Sequence, residues 1–389
     1  TALAAIGAAL AARYIHQLSH HGDPLAAAFG RDWRKHIRPD QARRFYRWRR
    51  WNWPIERGAR LLRDHPYACV DGRDLLCDLW LPPERVPPSG LAIIFMHGGG
   101  WHFNDKDIGT GMLFNHLARQ GHVVMDLAYR MLPETDLDGM IGDVYRAHAW
   151  MVDQSARFGV NPERIVLAGA SAGAHLALMA AYSDGSARYC PRELRGRDLP
   201  VRGVVVYYPP ADLLALYRYG EALVGQGLNP VDRAVLEVVN VITLLLTRAR
   251  FDFSALQPFR MRSPAEFQRA LQASLDTGFH FHMDTPLDLL TDLLGGTPDD
   301  CRDAYRQASP VELVGPHCPP TLILHGTLDT QVPPGISRAL YTRLANAGVP
   351  AVLIEYPRTE HAFDVYLPWI APGAHNAAYD IERFLALMV

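Results

Sequence analysis

The chain has 389 residues, 49% of them hydrophobic and 10% aromatic, and a formal net charge of −2. That balance excludes a disordered chain and allows one large core with an accessory element, or two modest domains. The five cysteines, at 69, 77, 190, 301 and 318, are an odd count with no Cys-x-x-Cys pair, which argues against a disulfide framework or a cysteine redox motif and fits a reducing, cytoplasmic setting.

Residues 1–64 read as an N-terminal helical arm. Residues 2–12 form an alanine-rich apolar run, shorter than the roughly 20 residues that cross a bilayer, and are expected to be an amphipathic helix. The numbering opens on Thr1, with which an upstream signal or anchor is compatible. Residues 31–63 then hold twelve Arg or Lys against Asp32, Asp40 and Glu56, interleaved with Trp33, Phe45, Tyr46, Trp48, Trp51 and Trp53. We read this as an arm folded onto the core with its arginines paired to an acidic surface. Peripheral contact with an anionic membrane is the alternative, and no nucleic-acid partner is expected. Lys35 and Lys106 are the only lysines, a usage expected of GC-rich coding.

Strand-like and helix-like patterns alternate from 91 to 205 and again from 321 to the end, which predicts an α/β fold with a mainly parallel sheet under helices. Its two parts are 65–211 and 304–389. Residues 91–96 form a buried strand running into His97, Gly98, Gly99, Gly100 and Trp101. Residues 165–168 form another, and 174–181 a helix, so Gly169, Ala170, Ser171, Ala172 and Gly173 make a sharp strand-to-helix turn with Ser171 at its tip. A strand at 201–207 precedes an insertion at 212–303 that reads mostly as helix. An insertion after the carboxyl end of a strand hangs over the crevice where such folds bind ligands, so it is a candidate lid.

Within that lid, residues 235–246 are apolar on nearly every side and need a cover. The core, a second copy of the chain in a homodimer, or an acyl group could supply it. Leu244 and Leu245, with Trp101, are the candidate substrate-binding residues. His280, His282 and Asp284 offer ligands at alternate positions but read as a half-exposed strand or loop, so no metal is expected. The strand at 320–326 ends before Asp329, the strand at 351–356 before His361, and a last helix at 376–388 closes one face.

Gly-x-Ser-x-Gly alone is a modest signal, since small-residue turns also pack helices on sheets. Joined to the glycine run in this order, it points to acyl transfer on an α/β-hydrolase fold. A serine hydroxyl is a weak nucleophile and needs an imidazole base oriented by a carboxylate. Ser171, Asp329 and His361 follow successive strands in the order such a site requires. Asp364 is the second choice of acid, and His325 is expected to pack locally. Bare amides of the glycine run can donate to a developing oxyanion.

These stretches, with Tyr129, Arg130, Met131, Leu132, Pro133 and Glu134, resemble the alpha/beta-hydrolase-3 group. That group holds hormone-sensitive-lipase-like carboxylesterases and relatives among kynurenine formamidases and prenylcysteine methylesterases. The resemblance implies an oxyanion hole of Gly98, Gly99 and the Ala172 amide and a scaffold role for Tyr129, Arg130 and Glu134; the acyl-transfer chemistry itself needs no cofactor. Ala170 stands where the lipase-like pattern usually has Asp, and residues 171–177 look more like the formamidase and methylesterase branch. The expected activity is hydrolysis of a bulky hydrophobic ester or thioester, with an amide also open as the acyl donor. A biosynthetic acyltransferase or cyclising enzyme using the same acyl-enzyme, and a ligand-binding protein without turnover, are the alternatives.

Overall fold

The computed structural model describes residues 13, 22–45, 58–106, 108–183, 185–226, 286–365 and 371–389. Eight strands lie among the described residues. They are β1 (Arg60–Val70), β2 (Arg73–Leu81), β3 (Ala92–Met96), β4 (Val123–Leu127), β5 (Ile165–Ala170), β6 (Gly203–Tyr207), β7 (Thr321–Gly326) and β8 (Ala351–Tyr356). Those from β3 to β8 are short runs of mostly β-branched and apolar residues. All eight make one sheet in the order β1-β2-β4-β3-β5-β6-β7-β8. The hairpin β1–β2 and the pair β2–β4 are antiparallel, and every later pair is parallel.

Strands β3 to β7 are buried along their whole length, as expected where helices cover both faces. Side-chain alternation divides the core in two. Ala92, Ile94 and Met96 point into one cluster, and Ile93 and Phe95 into the other. The first cluster is filled by α2 (Leu137–Asp153) and α3 (Ala172–Tyr182), the second by α1 (Gly111–Arg119) and the C-terminal helix. That last helix runs Pro372–Met388, a turn longer than the sequence pattern gave, because Pro372 starts it at the position proline favours.

Of the described arm residues, 22–45 lie on the second face. Leu25, Trp33 and Ile37 are buried in the same cluster as Phe384. Within this stretch Arg34 pairs with Asp23 at 2.7 Å, Lys35 with Asp32 at 2.9 Å and Arg38 with Asp40 at 3.1 Å, whereas Arg63, near the expected end of the arm, reaches the core carboxylate of Asp78 at 3.2 Å. Arg44 instead donates to the Gln120 carbonyl at 2.8 Å. The expected end of the arm at 64 falls inside β1, whose Arg60 to Leu62 already pair with β2. Residues 46–57, with Trp48, Trp51 and Trp53, lie outside the described residues.

The insertion leaves after β6 and returns before β7 through a paired base. The Leu213 amide donates to Ser309 Oγ at 2.9 Å, and the Val311 amide to the Ala211 carbonyl at 3.0 Å. Its described helices are α4 (Leu213–Gln226), α5 (Pro286–Leu294) and α6 (Pro298–Gln307), so the return comes a few residues beyond the expected boundary at 303. Residues 235–246, with Leu244 and Leu245, and the run from His280 to Asp284 lie outside the described residues. No helix among the described residues is long and apolar enough to cross a membrane.

Candidate active site

Strands β3, β5, β7 and β8 all deliver site residues from their carboxyl ends, where parallel α/β sheets open their ligand crevice. Ser171 stands between β5 and α3 with φ 53° and ψ −121°, a conformation costing about 1–3 kcal/mol for a residue with a Cβ. Its amide donates to the Tyr207 carbonyl at 3.0 Å, and its carbonyl accepts from the His175 amide at 3.0 Å, so the turn is held from both sides. Close approach requires Gly173. A Cβ there would lie 2.2 Å from the Met96 carbonyl oxygen and 2.4 Å from that of His97. This contact sets the turn of Ser171 against the end of β3.

His361 Nε2 lies 3.1 Å from Ser171 Oγ, and His361 Nδ1 lies 2.7 Å from Asp329 Oδ2. The structure thus brings together all three residues chosen from the sequence. Asp329 Oδ1 accepts from the amides of Gln331 at 3.0 Å and Val332 at 2.8 Å. Burial alone would raise the Asp329 carboxyl, but the facing His361 and a bond from His325 hold it well below the ordinary carboxylate range. The expected local packing of His325 takes a definite form. Its Nε2 is 2.9 Å from the Val332 carbonyl and 3.2 Å from Asp329 Oδ2, and its Nδ1 is 2.7 Å from Ser337 Oγ.

Asp364 does not reach His361. Its Oδ1 accepts from the Tyr208 hydroxyl, and the Tyr208 ring packs on the imidazole with centroids 4.2 Å apart. Burial pushes the Asp364 carboxyl up to about 6 against the pull of that hydroxyl.

The glycine run is fixed by its carbonyls. The Gly98 carbonyl accepts from His97 Nδ1 at 2.8 Å and Asn104 Nδ2 at 3.1 Å, and that of Gly99 from the amides of His102 and Phe103 at 3.0 and 3.1 Å. Gly99 has φ 132°, and a Cβ on it would overlap the Phe103 carbonyl oxygen at 2.0 Å. Among the described residues no acceptor faces the amides of Gly98, Gly99 or Ala172. The Tyr129 hydroxyl donates to the His97 carbonyl at 2.9 Å, Arg130 grips buried Asp143 at 2.8 and 2.9 Å, and Glu134 pairs with Arg73. Tyr129 thus touches the glycine loop directly, while Arg130 and Glu134 tie their own segment to the helix of Asp143 and to β2.

Trp101, expected at the substrate, is only 3% exposed, and its indole N–H donates to His175 Nδ1 at 3.3 Å. His175 Nε2 donates in turn to the Ala308 carbonyl at 2.7 Å, joining the glycine loop, α3 and the return of the insertion. Burial lowers His175 to about 4, so it stays neutral. The sequence reading passed over it, because a histidine on an apolar helix carries no signal of its partners. Above the glycine run, a Cβ on Gly100 would lie 2.9 Å from Leu289 Cδ1, which places α5 at the site. Phe103, in the same loop, is 45% exposed.

A family model described as BD-FAE matches residues 77–236 and 264–344, more than half of the chain. The chain belongs to the BD-FAE family. This BD-FAE chain is similar to the esterase LipQ of Mycobacterium tuberculosis, 27% identical over 314 residues, covering 80% of the chain and 59% of LipQ. It is also similar to the kynurenine formamidase of Danio rerio, 34% identical over 148 residues, 38% of the chain and 47% of that enzyme. The chain spans less than three-fifths of the mycobacterial relatives' length. Among solved structures, the propionate-bound esterase 2 of Thermogutta terrifontis superposes with a TM-score of 0.54 at 21% identity. That match covers 85% of the chain and 92% of the esterase. The BD-FAE chain therefore has the α/β-hydrolase fold expected from its motifs.

Proposed function

We propose that this chain is a carboxylesterase in which Ser171 is the nucleophile, His361 the general base and acid, and Asp329 the orienting carboxylate. The carrying observation is the continuous path Ser171 Oγ, His361 Nε2, His361 Nδ1, Asp329 Oδ2 at 3.1 and 2.7 Å, beside three amides that no acceptor among the described residues faces. The likeness to esterases across most of the chain supports an ester as the acyl donor.

Ser171 Oγ attacks the ester carbonyl carbon and gives its proton to His361 Nε2, while Asp329 stabilises the imidazolium. The amides of Gly98, Gly99 and Ala172 donate to the oxyanion, at the N-terminus of α3 where the helix dipole adds to them. Collapse breaks the carbon–oxygen bond of the ester, and His361 protonates the departing alkoxide. Water, deprotonated by His361, then attacks the acyl-enzyme, and Ser171 leaves with the proton as the carboxylic acid forms.

The acyl group in this reading is bulky and apolar. Leu289 against the glycine run and the exposed ring of Phe103 supply apolar surface at the mouth, and burying a hydrocarbon chain contributes about 0.8 kcal/mol per methylene. Hydrolysis of p-nitrophenyl esters from acetate to decanoate by the chain and by Ser171→Ala tests both parts. The expected result is kcat/KM rising with chain length and no turnover in the variant. A strong preference for acetate refutes the apolar pocket; turnover surviving in Ser171→Ala refutes the nucleophile.

A further inference from the structure

The loops that carry Asp329 and His361 leave neighbouring strands, β7 and β8, and one carboxylate oxygen joins them. Glu360 Oε1 accepts from the Thr330 amide at 2.7 Å, the Thr330 hydroxyl at 3.1 Å and the His361 amide at 2.9 Å. Thr330 follows Asp329 in the chain, and Glu360 precedes His361. A single atom thus spans the backbones on either side of the 2.7 Å contact between His361 Nδ1 and Asp329 Oδ2.

We propose that Glu360 is a positioning residue for this reaction: its carboxylate clasps the two loops and so holds the imidazole on Asp329 and within reach of Ser171. The proposal rests on the esterase reading above. Other ties between the loops, from the Thr327 amide to the Tyr356 carbonyl at 2.9 Å and from the Leu328 amide to the Thr359 carbonyl at 3.0 Å, fix their stems. Glu360 instead grips the residues flanking Asp329 and His361, where a shift translates directly into the triad distances. An ionised oxygen suits three donors, because charge-assisted hydrogen bonds are shorter and stronger than neutral ones. Its side chain is exposed, so the charge stands there without the desolvation cost of a buried carboxylate. The clasped loop has a second brace: the Thr330 carbonyl accepts from the Tyr219 hydroxyl of α4 at 3.0 Å.

The test compares Glu360→Ala, Glu360→Gln, Glu360→Asp and Ser171→Ala in the full chain. It reads kcat and KM on p-nitrophenyl butyrate and the rate of inactivation by a fluorophosphonate. Glu360→Ala is expected to lower kcat and the inactivation rate together, by about tenfold to a hundredfold, the scale of a 1 Å misplacement at a reacting group, with KM little changed. Glu360→Gln keeps an acceptor oxygen at the same reach and recovers most of the loss. Glu360→Asp keeps the charge but is one methylene too short to span the loops, and stays impaired; it carries the test if the alanine variant does not fold. Wild-type kcat in the alanine or aspartate variant, or a glutamine variant no better than alanine, overturns the clasp while Ser171→Ala remains inactive. Activity in Ser171→Ala overturns Ser171 as the nucleophile instead, and no turnover by the unsubstituted chain overturns the esterase reading.

Discussion

Replacing Asp329 by Asn tests the protonation logic of the site with almost no change in volume. Asp329 Oδ1 accepts two amides, from Gln331 at 3.0 Å and Val332 at 2.8 Å, so the asparagine oxygen is held in that position. Its NH2 then takes the place of Oδ2, 2.7 Å from His361 Nδ1 and 3.2 Å from His325 Nε2. A donor facing Nδ1 makes that nitrogen an acceptor and moves the proton to Nε2, the atom that takes the proton of Ser171 in the proposed mechanism. The opposite rotamer points the NH2 at two N–H donors, and leaving such groups unsatisfied costs about 1–3 kcal/mol each. The wrong tautomer costs about 10⁴-fold in kcat in the serine-protease triad, or about 5 kcal/mol of transition-state stabilisation, and a similar loss is expected here. Steady-state hydrolysis of p-nitrophenyl butyrate measures it, with circular dichroism to verify the fold. A folded Asp329→Asn variant within tenfold of the wild-type kcat would refute the reasoning.

Gly173→Ala drives a Cβ to 2.2 Å from the Met96 carbonyl oxygen, and both neighbours are backbone. Overpacking of this kind costs about 1–3 kcal/mol or more, so a lower denaturation midpoint is expected together with reduced kcat; an unchanged midpoint contradicts the close approach. Stability should also fall on acidification. Burial lowers His122 to about 3 and His148 and His175 to about 4, below the unfolded value of about 6.5, so between these values protons bind the unfolded chain in preference. The loss begins as pH drops below about 6.5 and reaches on the order of 2 kcal/mol per histidine at pH 5. The depressed Asp329 carboxyl adds stability above the unfolded aspartate value of about 3.9, and this is lost as pH falls below it. Urea denaturation at pH 7 and pH 5 measures the first effect, and equal stabilities would contradict it.

The strands bearing Ser171, Asp329 and His361 could be read from sequence because each is a short apolar run followed at once by a turn of small or polar residues. Position along the chain then served for position in space: a side chain just past a parallel strand must lie at the same sheet edge as its counterparts. The hairpin of β1 and β2 was not legible as a whole. Its outer strand is half exposed, Pro66 interrupts it, and register shifts between Leu62 and His65 and between Pro66 and Ala68 break the alternation. Trp101 drew a substrate role from its place in the glycine run, yet its φ of 66° carries it to a buried site beside His175. Glu360 gave no signal, since an exposed glutamate in a loop reads as solvated and its three donors come from a loop thirty residues upstream and from its neighbour.

Covalent trapping tests the central claim most directly. A fluorophosphonate incubated with the chain should add one phosphonyl group, mapped by peptide mass spectrometry to Ser171, with labelling slowed by orders of magnitude in His361→Ala and absent in Ser171→Ala. Stoichiometric labelling at another residue, or labelling of Ser171 at an undiminished rate without His361, would contradict the account.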